Sequence, residues 1–76
     1  MAFVRHLRRV ELEAKGAHSE ASASYSFVTD ENGDKLLQID TYGSPTRKRL
    51  GVKSQSIRFS KGAIDELREI LTALGG

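Results

Sequence analysis

Two hydrophobic periods divide the chain. Between Tyr25 and Phe59 apolar and polar residues tend to alternate, the period of a strand with one buried face. From Ala63 to Leu74 apolar residues return every three or four positions, the period of an amphipathic helix. The clearest unit is Tyr25-Ser26-Phe27-Val28-Thr29, the turn-rich Asp30-Glu31-Asn32-Gly33-Asp34, and the β-rich run Lys35 to Tyr42. Asn-Gly between two such runs predicts a hairpin. A two-residue loop at Asn32-Gly33 sets Val28 opposite Leu37 and Ser26 opposite Ile39. A three-residue loop, Glu31-Asn32-Gly33 with Gly33 left-handed, sets Phe27 opposite Leu37 and Tyr25 opposite Ile39. Aromatic–aliphatic cross-strand pairs contribute roughly 0.2–1 kcal/mol each, which favours the second register although it brings Asp30 against Asp34. In that register Leu37 and Ile39 face the core, and Leu36, Gln38, Asp40 and Tyr42 face outward. A slip of one residue exchanges the faces.

Gly43-Ser44-Pro45 ends the central strand, since proline cannot donate to a ladder. Thr46 to Lys53 reads as a loop. Alternation resumes with Gln55, Ile57 and Phe59 on one side and Ser54, Ser56 and Arg58 on the other, a half-buried strand. Ser60 is a suitable N-cap for a helix to about Leu74, with Gly75-Gly76 as its stop. Its apolar stripe is Ala63, Ile64, Leu67, Ile70, Leu71 and Leu74; Asp65, Glu66, Arg68 and Glu69 lie opposite, and Lys61 is spaced to pair with Asp65. The start is ambiguous: Phe3, Leu7, Val10 and Ala14 have helical spacing, whereas Val10, Leu12 and Ala14 alternate. The favoured arrangement is a flexible basic arm over residues 1–8, then a strand from about Arg9 to Lys15 ended by Gly16, and a linker over Ala17 to Ser24. The expectation is an α+β fold: a single ββββα domain over 9–76, with a four-stranded antiparallel sheet and one C-terminal amphipathic helix.

Composition narrows the possibilities. A chain of 76 residues hides only about 60% of its unfolded surface, so its core is marginal. It has no cysteine to staple it, and His6 and His18, twelve residues apart, do not resemble a zinc pair. No metal or cofactor is expected. The remaining route to stability is self-association, and the helix stripe is wider than one thin sheet needs. A homodimer is therefore expected, with Leu67, Ile70, Leu71 and Leu74 at its interface. No apolar run reaches the roughly 18 residues of a membrane span.

Catalytic sets are absent: no nucleophile, base and orienting group can be named together, and an enzyme is not expected. Asp30, Asn32 and Asp34 match the first three ligand positions of a calcium loop. However, Lys35 stands where its glycine belongs and Thr41 where its glutamate belongs. Gly43 and Gly51 stand too far apart for a phosphate cradle. The net charge, +2, is mild, but its distribution is not. Thr41 to Ile64 carries Arg47, Lys48, Arg49, Lys53, Arg58 and Lys61 and no acid. Arg5, Arg8 and Arg9 are either a solvated terminus or an arm that touches nucleic acid.

A cationic loop beside a sheet face can track a phosphate backbone, and an aromatic ring there stacks a base for about 1–3 kcal/mol. Tyr42 ends the central strand next to Arg47-Lys48-Arg49, Arg58 points to the same side, and Gln38, Ser56 and Ser26 add hydrogen-bonding groups. In this order, from about Tyr25 to Leu71, the strands, the basic loop with Gly51, Ser54 to Ser60 and the helix resemble the C-terminal domain of the transcriptional positive cofactor four family. That resemblance implies a strongly curved sheet of four antiparallel strands, dimerisation through the helices, and binding of single-stranded DNA on the sheet. Tyr42 stands where the family has aromatic residues near the end of its third strand, and Arg47, Lys48, Arg49, Gly51 and Lys53 match its basic, glycine-containing loop. The chain departs from the family in lacking an aromatic in the helix, and Pro45 precedes the basic run while Leu50-Gly51-Val52 follows it.

The expected function is a single-stranded DNA or RNA binding module of little sequence preference, assisting transcription or replication in the cytoplasm or on the nucleoid. Arg47, Lys48, Arg49, Lys53 and Arg58 would contact phosphates, and Tyr42 would stack. Two alternatives stand beside it. One is a duplex-DNA binder like the ribbon–helix–helix repressors, from Ser56 to Ser60 followed by a helix. The other is a protein-interaction module using the helix stripe.

Overall fold

The computed structural model describes residues 1–13, 16, 20–43 and 53–75. Four strands, β1 (Ala2–Val4), β2 (Ala23–Thr29), β3 (Lys35–Tyr42) and β4 (Lys53–Phe59), precede one helix, α1 (Lys61–Leu74). The strands form one curved sheet in the order β1-β4-β3-β2, so the ββββα arrangement is present.

The β2–β3 hairpin adopts the three-residue-loop register, with Tyr25 opposite Ile39 and Phe27 opposite Leu37. Gly33 is left-handed at φ 82°, a conformation that costs glycine nothing. The juxtaposition of Asp30 and Asp34 is accommodated by the backbone. Asp30 donates its N–H to the Asp34 carbonyl at 2.9 Å. Its carboxylate accepts the N–H groups of Asn32 and Asp34, each at 2.9 Å. β4 pairs antiparallel with β3, Ile57 opposite Ile39 and Phe59 opposite Leu37, until a shift at Thr41/Tyr42 sets Tyr42 opposite Lys53.

Two expectations are corrected. The first strand is Ala2–Val4, whereas the strand expected from Arg9 is absent over residues 9–13 and its last two positions lie outside the described residues. Ala2–Val4 runs parallel to β4, with Ala2 opposite Ile57 and Val4 opposite Phe59. The sheet is therefore mixed, and part of the expected arm belongs to it. Val4 gains Phe59 as a same-face neighbour, and the Ser60 N–H closes the edge onto the Val4 carbonyl at 2.9 Å. Val10 and Leu12, by contrast, are exposed and residues 9–13 lie in no strand. The second correction concerns the faces. Leu36, Gln38 and Asp40, expected to point outward, are the buried residues of β3, while Leu37 and Ile39 are only half-buried. Their β2 partners Phe27 and Tyr25 are 73% and 70% exposed. The apolar face built by the register is real, but it is not the better-covered one.

Ser60 caps α1 as expected, its Oγ accepting the Ala63 N–H at 3.1 Å, and left-handed Gly75 closes the other end by donating to the Thr72 carbonyl at 3.1 Å. The helix contacts β3 and β4. Ala63 is wholly buried, Ile64 and Leu67 are half-buried, and Ile70, Leu71 and Leu74 are exposed. Asp65 meets Arg68 at 3.4 Å rather than Lys61. Glu66 fastens the segment after β1: it accepts the Leu7 N–H at 2.6 Å and lies 3.3 Å from His6 Nδ1. The Leu7 bond first, and His6 second, hold its carboxyl below the ordinary range. No helix among the described residues is long and apolar enough to cross a membrane.

Candidate nucleic-acid interface

Strand alternation and the observed registers bring one set of side chains onto a single face: Ser24 and Ser26 from β2, Leu36, Gln38, Asp40 and Tyr42 from β3, Ser56 and Arg58 from β4, and Phe3 from β1. Its centre is a connected polar cluster. Arg58 donates from Nε and Nη2 to Gln38 Oε1 at 3.0 and 2.6 Å. Gln38 Nε2 donates to Asp40 at 3.0 Å. Asp40 also accepts the Ser56 hydroxyl at 2.6 Å and pairs with Lys53 Nζ at 3.3 Å.

Asp40 is only 4% exposed, and a carboxylate so enclosed stays charged only if its oxygens are occupied. Here they are. The Ser56 hydrogen bond, followed by those of Gln38 and Lys53, outweighs burial and holds its carboxyl below the ordinary 3.8. Because an ionised carboxylate only accepts, Gln38 must turn its NH2 toward Asp40 and its oxygen toward Arg58. Asp40 thereby orients the guanidinium through one intermediary, Gln38, with Nη1 left outside that contact.

Both ends of this face carry aromatic rings. At one end Tyr42, half-buried, exchanges a hydrogen bond with Ser24 Oγ at 2.7 Å, and Lys53 stands opposite it. At the other, Phe3 lies opposite Arg58, and the Arg5 guanidinium sits 4.9 Å from the Phe3 ring centre. A concavity of about 890 Å³ opens there, lined by Phe3, Arg5, Leu36, Arg58 and Lys61 on one side and by the β2–β3 turn, with Asp30, Glu31 and Asp34, on the other. Because acids as well as cations line that concavity, it attracts a polyanion less than the Tyr42 end does. The Tyr42 end has Lys53 and leads into the basic run.

Of the residues singled out from sequence, Tyr42, Lys53 and Arg58 thus share a face. Arg47, Lys48 and Arg49 lie outside the described residues. Leu67 is partly covered, and Ile70, Leu71 and Leu74 are open to solvent. Sequence reasoning missed Asp40 as the hub and Phe3 as a second aromatic on this face. An aspartate inside a β-rich run is itself a signal, because strands disfavour it unless a partner compensates. Among the described residues no three carboxylates or imidazoles come together as a metal site would require. Comparison with protein-family models, curated proteins and solved structures finds no match.

Proposed function

We propose that this chain is a single-stranded nucleic-acid binding module that uses the Tyr42–Arg58 face of its sheet. The observation carrying this reading is that Tyr42 from β3 and the cations Lys53 and Arg58 from β4 share one polar face held in order by Asp40 and Gln38. Arg58 and Lys53 contact phosphates, as do Arg47, Lys48 and Arg49, which fall between Tyr42 and Lys53 in sequence, and the Tyr42 ring stacks a base. Contacts of this kind carry little sequence preference, as suits a factor assisting transcription or replication in the cytoplasm or on the nucleoid. In the same reading Leu67, Ile70, Leu71 and Leu74 receive a second copy, supported by the exposure of the last three.

The test is fluorescence anisotropy with single- and double-stranded oligonucleotides at two salt concentrations. Each phosphate neutralised on a single strand contributes about −0.7 to the slope of log affinity against log salt, so five cations give about −3.5. Tighter binding to single strands is expected, as is a shallower slope when Arg47, Lys48 and Arg49 are replaced by Glu. Equal binding by that charge-reversed variant, or a preference for duplex, overturns the reading.

A further inference from the structure

Among the described residues, β2 is an unguarded edge. It ends the sheet order, pairs with β3 along its whole length without a bulge, and contains neither a charge nor a proline in Ala-Ser-Tyr-Ser-Phe-Val-Thr. Sheet edges attract further strands, and proteins ordinarily blunt them with lysine, proline, bulges or brevity. The opposite edge follows that rule: β1 is three residues long, with Arg5 directly after it.

The backbone phase of β2 follows from its ends. The Tyr42 N–H bonds the Ser22 carbonyl and the Asp30 N–H bonds the Asp34 carbonyl, each at 2.9 Å. Even-numbered residues therefore turn their backbone groups to β3. Ala23, Tyr25, Phe27 and Thr29 turn theirs to the free edge, where no described residue bonds them. These are also the residues whose side chains lie on the under-covered face, with Tyr25 and Phe27 in edge-to-face contact at 5.8 Å.

We propose that this edge pairs with β2 of a second copy, antiparallel about a twofold axis through Ser26. In an antiparallel pairing, outward-turned residues must face outward-turned residues. The register that overlaps the whole strand does this throughout, with Ala23 opposite Thr29, Tyr25 opposite Phe27, and Ser26 opposite itself. All the outward N–H and C=O groups of the strand are then satisfied. Tyr25 and Phe27 of each copy form cross-strand aromatic pairs on one face. Ser24 and Val28 meet on the other, so the two polar faces abut in one eight-stranded sheet. No charge opposes its like anywhere along the seam. This is a different surface from the helix stripe, and it does not depend on the nucleic-acid reading.

The register makes a sharp test possible. Ser26 and its symmetry mate form a non-hydrogen-bonded pair, with Cα atoms about 4.5 Å apart, inside the span a disulfide bridges. The chain has no cysteine of its own. Oxidised Ser26→Cys protein is expected to run as a covalent dimer, whereas Ser54→Cys, exposed on β4, is not. In sedimentation equilibrium Phe27→Lys should raise the dimer dissociation constant at least about tenfold. Because Phe27 is exposed in the single chain, its circular dichroism should stay unchanged. A wild-type protein that remains monomeric at the highest concentration reached overturns the proposal. So does a dimer that withstands Phe27→Lys, fails to cross-link through Ser26→Cys, and dissociates on Leu71→Glu. Should Phe27→Lys not fold, the cross-link alone decides.

Discussion

Asp40 joins stability to recognition. Its folded-state carboxyl titrates below 3.8, so in acid the unfolded chain binds the proton more readily than the folded one. The stability it provides is fully present above the unfolded value and is lost as pH falls through the lower folded value. Thermal melts across that acid range should show Tm falling with pH, and Asp40→Asn should flatten this dependence while lowering Tm at neutral pH. The asparagine can also donate to Gln38, which frees the amide to flip and releases Arg58. Oligonucleotide affinity should therefore fall in Asp40→Asn even though a negative charge has been removed, the opposite of what simple electrostatics predicts. Tyr42 separates ring from hydroxyl. Tyr42→Phe loses only the Ser24 bond and should bind nearly as well, whereas Tyr42→Ala should lose about 1–3 kcal/mol of binding measured by anisotropy.

At the scale of elements, local chemistry was readable and burial was not. The hairpin register followed from pairing Tyr25 and Phe27 with Ile39 and Leu37, and the helix limits followed from Ser60 and Gly75. Each depends on a few neighbouring residues. Removing the cap with Ser60→Ala should cost about 1 kcal/mol in chemical denaturation. Gly33→Ala should cost about 1–2 kcal/mol, because its φ is left-handed and space for the methyl group is not the obstacle. What pattern reasoning did not supply was the long-range half of the fold. That Ala2–Val4, and not a strand starting at Arg9, completes the sheet depends on β4 over fifty positions away. That Gln38 and Asp40 are enclosed depends on Ser56, Lys53 and Arg58 converging on them. Alternation says which residues share a face; it does not say which face is covered. Within the candidate site, Tyr42, Lys53 and Arg58 were legible as polar-face residues, and the hydrogen-bond order that arranges them was not.

At the scale of the whole molecule the single chain is open. Its radius of gyration is 14.7 Å, against about 11 Å for a compact domain of this length. Among the described residues only Leu36 and Ala63 are buried hydrophobics, and no large side chain is completely enclosed. A domain so constructed should draw stability from association, so its Tm should rise with protein concentration in calorimetry. A Tm independent of concentration would mean that the single chain suffices.

The parallel strand β1 has a consequence in time. Ala2–Val4 is synthesised before the other three strands of the sheet, yet its partner Ile57 and the Val4-bound Ser60 come more than fifty residues later. The hairpin of β2 and β3 can close as soon as it emerges, but one border of the sheet must wait until nearly the whole domain has been synthesised. Throughout that interval β1 has no partner, and the side of β3 that β4 will cover is bare. During translation, then, the stretches that most need shielding are Ala2–Val4 and the open side of Lys35–Tyr42, and one late strand, Lys53–Phe59, shields both.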